Sequence, residues 1–238
     1  YIGAGALAAA GIISLIKSLP TIGSAFVGSM KGLKATGKGG NERTAKELNI
    51  VVVIVAIVVL TLAIWLIPAI KVNLIGALII VVFGFFFATV SSRMVGLVGS
   101  SNNPVSGMAI ATLLITTLVL VVTGQKDATG MVSAISIGAI ICIVCAIAGD
   151  TSQDLKTGYI LGATPKKQQI GEVIGVCAAS LAIGGTLYLL NAAYGFGPEG
   201  LNAPQANLMK TIVEGIMGGD MPWGLVIAGA FIAVVIEL

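Results

Sequence analysis

Long apolar runs separated by short polar connections dominate the chain. Seven runs are long enough, wholly or in part, to cross a membrane as a helix, which takes roughly 20 apolar residues. These runs are residues 2–16, 50–70, 73–91, 107–124, 131–149, 170–190 and 223–238. The second run begins with many Val and Ile residues, which would suit a buried strand, but its length favours a membrane helix. We therefore predict an all-α fold, a polytopic transmembrane helix bundle in a single domain, residues 1–238.

Both ends of the chain fall inside apolar runs. Tyr1 stands within the first run without a basic leader, and Leu238 ends the last run before a polar flank. We expect the chain to be a fragment of a longer protein, with residues missing at both ends.

Basic residues mark two connections that we expect on one side of the membrane. Four predicted spans separate these connections, so both lie on the same side, and the excess of basic residues assigns that side to the cytoplasm. On the opposite side, residues 205–217 are predicted to form an amphipathic helix along the interface. The basic residues are Lys17, Lys31, Lys34, Lys38, Arg43 and Lys46 in the connection at 17–49, and Lys156, Lys166 and Lys167 after Asp150.

Composition excludes several functional classes. Hydrophobic residues make up 57% of the chain and charged residues 10%, against about 25% charged residues in soluble domains. The chain has neither a phosphate-binding loop nor a hydrolase motif, so we do not expect an enzyme, and the net charge of +3 follows from topology rather than from nucleic-acid binding. The Cys142-x-x-Cys145 spacing places two small hydrophobic residues one turn apart, and we expect neither metal nor cofactor. Because histidine is absent from the sequence, proton coupling would have to use carboxylates.

A connection rich in glycine and serine follows the third run, at residues 91–106 (SSRMVGLVGSSNNPVS), and carries one charge, Arg93. Such a sequence suits a broken helix or a re-entrant segment, whose free backbone groups are tolerated at depth where protein or a water-filled cavity satisfies them. Pro104 disfavours a helical conformation at Asn103, and the amides of Asn102 and Asn103 offer donors and acceptors. The alternative is an ordinary turn, with Pro104 near the start of the next helix.

The most polar connection, at residues 150–169, combines carboxylates, hydroxyls, amides and lysines between two apolar runs. One interpretation is structural: Asp150 begins a new helix as its N-cap residue, and Thr151, Ser152 and Gln153 complete the first turn. The other is functional, because so dense a polar stretch between two membrane spans is more than a simple link needs.

Two charged arrangements near this connection are candidates for chemistry. Asp154 could form a gating ion pair with Lys156 or Lys166. Glu172 lies within the predicted span at 170–190, where an ionisable group is a functional candidate by default, and a proton-carrying role is one interpretation of it. Its position close to the end of that span also allows it simply to reach the interface.

Three segments resemble one protein family in their order and spacing. They are residues 98–108 (VGSSNNPVSGM), 149–159 (GDTSQDLKTGY) and 162–169 (GATPKKQQ), supported by APQA at 203–206 and PW at 222–223. From about Arg93 to its end, the chain resembles the oligopeptide transporter (OPT) family, in the prokaryotic branch that is similar to the plant yellow stripe-like metal-chelate carriers. Before Arg93 the resemblance is one of hydropathy.

The resemblance implies a secondary active transporter of the cell membrane, the inner or plasma membrane of a prokaryote. It would carry oligopeptides or peptide-like metal chelates into the cytoplasm in symport with protons, with membrane lipid as its surroundings. The substrate path would be lined by Asn102, Asn103, Pro104 and Ser106. The gate or coupling region would contain Arg93, Asp150, Thr151, Gln153, Asp154, Lys156 and Glu172.

Two other classes stay open. A passive pore would use residues 91–106 as a filter, and a scaffold subunit without a transport path would tolerate alanine in its polar connections. Saturable, pH-dependent uptake separates a carrier from a pore, because a pore does not accumulate substrate against its gradient.

Overall fold

Helices make up most of the chain in a computed structural model that describes residues 1–34, 43–100, 103–197 and 200–237. Among the described residues, six helices are long and apolar enough to cross a membrane, and they are α1 to α6 below. The predicted all-α polytopic bundle is therefore confirmed, and the chain is a multi-pass membrane protein. The helices are α1 Ile2–Lys34, α2 Ile50–Leu66, α3 Leu74–Val98, α4 Val105–Val122, α5 Ala128–Leu161, α6 Pro165–Tyr194, α7 Pro204–Gly218 and α8 Trp223–Glu237, with a 3₁₀ turn at Arg43–Ala45.

Asparagine, aspartate and glycine set the helix boundaries. The side chains of Asn49, Asn73 and Asp127 accept an N–H group from the first turns of α2, α3 and α5, at 2.9, 2.7 and 3.0 Å. These caps satisfy amides that have no partner inside a helix. α3 and α5 end at Gly99 and Gly162, whose φ values of 77° and 70° are left-handed and therefore favour glycine.

α5 is the central helix, and α3 lies parallel to it. Near the start of α3, Gly76 lies against Ile137 of α5. Further along both helices, Ser92 of α3 bonds to the carbonyl of Ala148. Residue numbers therefore rise together along the two helices, as they must in a parallel pair.

α4 runs antiparallel to α5. Asn103, just before α4, reaches Cys145, whereas Leu113 in the middle of α4 packs on Gly138, earlier in α5. Leu113 and Ile110 are fully buried in the core that α4 shares with α5. α3, α4 and α5 therefore form the packed centre of the bundle.

Glycine contacts bring α1 close to α4 and α8. Gly11 of α1 meets the backbone of Gly107 in α4, while Gly5 of α1 and Gly229 of α8 each meet the backbone of the opposite helix. Without glycine at these positions, a Cβ atom would overlap the neighbouring chain. Close backbone approach through small residues is a common way to join helices in a membrane.

The amphipathic helix predicted at residues 205–217 forms α7, and its apolar face packs on α4 and α5. Its polar face carries an ion pair between Lys210 Nζ and Glu214 Oε1 at 3.6 Å. α7 therefore covers the core at the end where α4 finishes and α5 begins. The buried residues of its apolar face are Met209, Ile212, Val213, Ile216 and Met217.

Residues 43–48, which we call the strap, join the first polar connection to the turn between α5 and α6. The two basic connections therefore meet at one end of the bundle, in agreement with the even number of spans between them. Three hydrogen bonds form this joint: Arg43 Nη2 to the Gly162 carbonyl at 2.6 Å, the Lys166 N–H to the Lys46 carbonyl at 2.9 Å, and the Leu48 N–H to Gln169 Oε1 at 2.9 Å.

The strap also completes the cap of α6. Thr164 precedes the helix without a side-chain cap bond, and Pro165 at the first position has no N–H group. The next amide, that of Lys166, would lack a partner within the helix. The main-chain carbonyl of Lys46 accepts it instead.

The first connection is shorter than predicted. α1 continues through Pro20 to Lys34, so the first half of the segment predicted as a loop at residues 17–49 is helical. Proline removes one hydrogen bond from a helix, and membrane helices tolerate this where neighbouring groups compensate. Residues 35–42 lie outside the described part of the chain.

α5 is longer than predicted, so the connection expected at residues 150–169 shrinks to residues 162–164. The helix runs to Leu161, and α6 begins at Pro165. Asp150 is therefore not an N-cap residue; that position belongs to Asp127. The prediction that α5 ends before Asp150 is wrong because polar residues such as Gln and Lys form helices readily. A polar stretch indicates that the helix has left its apolar surroundings, and not that the helix has ended.

Gly229→Ala should destabilise the junction of α1 and α8. The new Cβ would overlap the Ile2 carbonyl, so one backbone must move. We expect a loss of about 1–3 kcal/mol, seen as a lower melting temperature of the full-length protein in detergent. Gly224→Ala on the same helix is the control, because a Cβ there meets no atom within 4 Å. Equal melting of the two variants would contradict the close contact.

Gln169→Ala should free the Leu48 amide. Because the variant lacks the oxygen that accepts this N–H group, hydrogen–deuterium exchange of a peptide covering residues 46–50 should become about fivefold faster. Gln125→Ala, between α4 and α5 at the other end of the bundle, is the control and should leave that exchange unchanged. Exchange at the wild-type rate in Gln169→Ala would show that the strap is not held by this side chain.

Candidate functional site

The cavity between α1, α2 and α3, with a volume of about 930 Å³, is apolar. Thr61 is the polar residue of its lining, and its hydroxyl group donates to the Ile57 carbonyl at 2.7 Å. Such a lining suits hydrocarbon and not a peptide. The polar contacts along α5 are therefore the better candidates for a functional site.

Asn103 anchors the start of α4 between α3 and α5. Its Nδ2 group donates to Ser91 Oγ of α3 and to the Cys145 carbonyl of α5, the latter at 3.3 Å. Ser91 Oγ is fully buried and donates to the same carbonyl at 2.5 Å. Three helices thus meet at one hydrogen-bonded triangle, which we call the Asn103 triangle.

Glycine at position 149 makes room for the Asn103 triangle. A Cβ atom on Gly149 would lie 2.9 Å from Asn103 Nδ2 and 3.1 Å from Ser91 Oγ. Both distances are too short for a carbon atom, so a larger residue would displace the amide. The first residue of the 149–159 motif therefore acts by its small size.

The first turn of α4 lies inside the bundle. α3 continues beyond Ser91 for seven residues, or about 10 Å, yet Asn103 lies beside that serine. Cys145, the other partner of Asn103, is about halfway along α5. Asn103 therefore lies level with the middle of α5, just before α4 begins at Val105.

The break predicted at residues 91–106 is corrected in part. Residues 91–98 are helical and belong to α3, which ends at Gly99. Pro104 directly precedes α4, as the alternative interpretation expected. Asn102 lies outside the described residues. Ser106 is exposed in the first turn of α4.

Further polar contacts continue the seam between α3 and α5 towards the strap. In each of them a side-chain donor reaches a main-chain carbonyl of the other helix, so apolar packing gives way to hydrogen bonds at this end. The contacts are Ser92 Oγ to Ala148 at 3.0 Å, Ser152 Oγ to Ser92 at 3.0 Å and Lys156 Nζ to Gly96 at 2.7 Å.

A second polar cluster lies between α5 and α6. The Glu172 carboxyl group lies beside the Thr151 hydroxyl group and the Asp154 carboxyl group. Gln168 Nε2 donates to the main-chain carbonyl of Asp154 at 3.0 Å and to Asp154 Oδ2 at 3.2 Å. Within the described chain, Gln168 Oε1 and Glu172 Oε1 are buried without a hydrogen-bond partner. We call Asp154 and Glu172 the carboxyl pair.

The polar end of α5 presents three faces. At 3.6 residues per turn, neighbours in sequence point to different helices. Asp150 is exposed and Gln153 is half-buried on the face that turns away from α3 and α6. Towards α3 the helix presents Gly149, Ser152 and Lys156, and towards α6 it presents Thr151, Asp154 and Gly158.

The predicted ion pair of Asp154 with Lys156 or Lys166 does not form among these described side chains. Lys156 points to α3 while Asp154 faces α6, because residues two apart lie on different sides of a helix. Lys166 is exposed at the start of α6. Arg93 is exposed on α3, next to the seam with α5.

We did not predict Ser91, Gly149 or Gln168 as site residues. Gln168 carried a usable signal, because it stands four residues before Glu172 and so shares its side of the helix. Ser91 acts through a buried hydroxyl group, and Gly149 acts through the absence of a side chain. The neighbouring sequence does not indicate either role.

Metal ligands are not grouped in the described chain: no three His, Cys, Asp or Glu side chains lie close enough to hold an ion. Cys142, Cys145 and Cys177 are free thiols. The Asn103 triangle and the carboxyl pair offer amide donors, hydroxyl groups and carboxyl groups, which suit hydrogen-bonded ligands and protons.

The whole chain, residues 1–238, matches the family described as OPT oligopeptide transporter protein. It is 31% identical over 270 residues to a Haemophilus influenzae protein named "Putative oligopeptide transporter", covering 99% of this chain and 42% of that protein. A Saccharomyces cerevisiae protein of the same description is 28% identical over 142 residues, covering 59% of this chain and 19% of the relative. No solved structure matches the chain.

The family match includes the first ninety residues, where the sequence showed no motif beyond hydropathy. The chain spans less than half the length of the Haemophilus relative, as expected for a fragment. The family is one of transporters and not of enzymes. Both by its family match and by its likeness to these relatives, the chain belongs to the OPT oligopeptide transporter family.

Proposed function

We propose that this chain forms part of a secondary active transporter that carries oligopeptides, or peptide-like metal chelates, across the cell membrane in symport with protons. The family supports transport, and the names of the relatives support a peptide as the substrate. One observation carries the proposal: α4 begins inside the bundle, where Asn103 holds it between α3 and α5.

The start of α4 offers groups that a peptide carboxylate needs. The first amides of a helix lack partners within the helix and carry the positive end of its dipole. Transporters with discontinuous helices use such ends to bind anionic substrate groups near the middle of the membrane. We assign Asn102, Asn103, Pro104 and Ser106 to this path, with Ser106 exposed on the first turn.

The carboxyl pair supplies a means of proton coupling. Asp154 and Glu172 lie side by side on two helices. When one of them is protonated, it can donate a hydrogen bond to the other, whereas two carboxylates in this position repel each other. Proton binding therefore favours contact between α5 and α6, and proton release favours their separation.

α6 is placed to respond to this change. The helix is described throughout and has no buried residue. Its hydrogen bonds to α5 come from its first turns, and a Cβ at Gly171 or Gly175 would meet no atom within 4 Å. Protonation of the carboxyl pair can thus act on α6 through its contact with α5, and a two-state movement of such a helix is what alternating access requires.

We place the strap end of the bundle in the cytoplasm of a prokaryotic cell. The strap and the turn that it holds contain Arg43, Lys46, Lys166 and Lys167, and basic residues of this kind collect on the cytoplasmic side. In this orientation the carboxyl pair lies near the cytoplasmic end of α5, and α7 covers the opposite end.

Peptide uptake into proteoliposomes that contain the full-length protein tests the proposal. A mixed library of di- to hexapeptides is offered with and without an inward proton gradient. Accumulation that the gradient drives establishes a proton-coupled carrier. Equilibration without accumulation indicates a pore, and absence of uptake for both peptides and metal chelates indicates a scaffold subunit.

Glu172→Gln should abolish the effect of the proton gradient on uptake. The amide keeps the shape of the side chain but cannot bind a proton, so downhill exchange of peptide should persist while accumulation is lost. Uptake is measured against external pH in proteoliposomes. Glu214→Gln is the control, because this exposed residue pairs with Lys210 on α7 and should leave the pH profile unchanged. An unchanged profile in Glu172→Gln removes this residue from the mechanism.

Ser106→Leu should obstruct the substrate path. The larger side chain fills the exposed first turn of α4, and we expect kcat/KM for peptide uptake to fall about tenfold or more. Melting in detergent should stay at the wild-type value because Ser106 is not buried. Ser180→Leu, at an exposed serine of α6, is the matched control and should transport normally. Normal uptake by Ser106→Leu would place the path elsewhere.

A further inference from the structure

We infer that Gln168 is a positioning residue for the carboxyl pair, and that it directs the transported proton to Glu172 by occupying the Asp154 carboxyl group with its amide donor. The inference rests on the proposed proton coupling and adds to it the side chain that separates the roles of the two carboxyl groups. Gln168 itself carries no proton.

The hydrogen bonds of Gln168 fix its amide relative to Asp154. Its Nε2 group donates at once to the main-chain carbonyl of Asp154 at 3.0 Å and to the carboxylate oxygen Oδ2 at 3.2 Å. Two bonds to one residue hold the amide plane in a single orientation. The second bond places an N–H donor on Oδ2, so this oxygen of the pair already has a partner.

Gly158 forms the surface on which this amide lies. Gly158 is buried one turn beyond Asp154 on the same face of α5, and a Cβ atom there would overlap the Gln168 amide. An alanine would therefore push the amide away from Asp154. The glycine and the glutamine form one arrangement built from both helices.

Glu172 stands four residues after Gln168, on the same face of α6 and on the other side of Asp154. Its Oε1 atom is buried without a partner in the described chain. The Gln168 donor already occupies Oδ2 of Asp154. Glu172 is therefore the member of the pair that takes the proton and donates a hydrogen bond to the Asp154 carboxyl group. Protonation there also gives the pair one negative charge in place of two.

The neighbouring basic groups do not replace Gln168 in this role. On α5, Lys156 donates to the Gly96 carbonyl of α3. In the strap, Arg43 donates to the Gly162 carbonyl. On α6, Lys166 and Lys167 are exposed in the first turn. The pair thus faces an amide donor from Gln168 and a hydroxyl group from Thr151.

Infrared difference spectra of the full-length protein, recorded against pH in lipid, test the inference without any substrate. The protonated carboxyl band should contain a component with the midpoint of the pair in wild type, and Glu172→Gln should lose that component. In Gln168→Met, which keeps the length of the side chain but lacks the donor, the charged pair loses a hydrogen bond. The pair should then hold its proton to higher pH, and the midpoint should rise by about 0.5 to 1 pH unit.

Gly158→Ala should raise the midpoint in the same direction, because it displaces the same amide. Gly171→Ala on α6 is the control, since a Cβ there meets no atom within 4 Å, and it should titrate as wild type. Wild-type midpoints in both Gln168→Met and Gly158→Ala overturn the inference while leaving the proposed coupling intact. A titration that Glu172→Gln leaves unchanged overturns the proposed coupling and the inference with it. Shifted midpoints in a protein that takes up no peptide support the positioning role and count against transport.

Discussion

The rule that a buried backbone group needs a hydrogen-bond partner constrains this bundle more than any other. Asn103 lies inside the protein just before α4 begins, and its side-chain amide bonds to Ser91 and to the carbonyl of Cys145. Gly149 leaves the space for that amide. The position of α4, and with it the packing of α1 and α7 on α4, follows from this junction.

The polar motif at the end of α5, residues 149–159, contacts two different helices. Its residues are consecutive in sequence, but the turn of the helix distributes them over α3, over α6 and over a face that neither neighbour covers. The contacts with α3 are made to main-chain carbonyls, which fixes the two helices to each other. The contacts with α6 include the carboxyl groups of Asp154 and Glu172, besides the bond from Gln168 to the main-chain carbonyl of Asp154. One helix therefore combines a seam of main-chain contacts with a seam that contains titratable groups.

Hydropathy was sufficient to predict the helices and insufficient to predict where they end. Each apolar run proved to be a helix, because the cost of burying free backbone groups leaves no other choice for such a run in a membrane. The polar stretches at 17–34 and 150–161 are also helical, because water and polar neighbours satisfy side chains without disturbing the backbone. The contact between Asp154 and Glu172 could not be predicted, since it depends on the three-residue turn that brings α6 back along α5.

The attachment of α6 near one of its ends has a mechanical consequence. A helix of 30 residues is about 45 Å long, whereas its hydrogen bonds to α5 and to the strap lie within its first turns. The contacts that this chain offers to α6 are therefore gathered at that end, beside Gly162. Tilting α6 by about 10° would carry the Tyr194 end roughly 8 Å sideways, a displacement comparable to the width of a peptide backbone with its side chains. A small change of angle at the carboxyl pair would thus displace the far end of α6 by the scale on which a passage opens or closes.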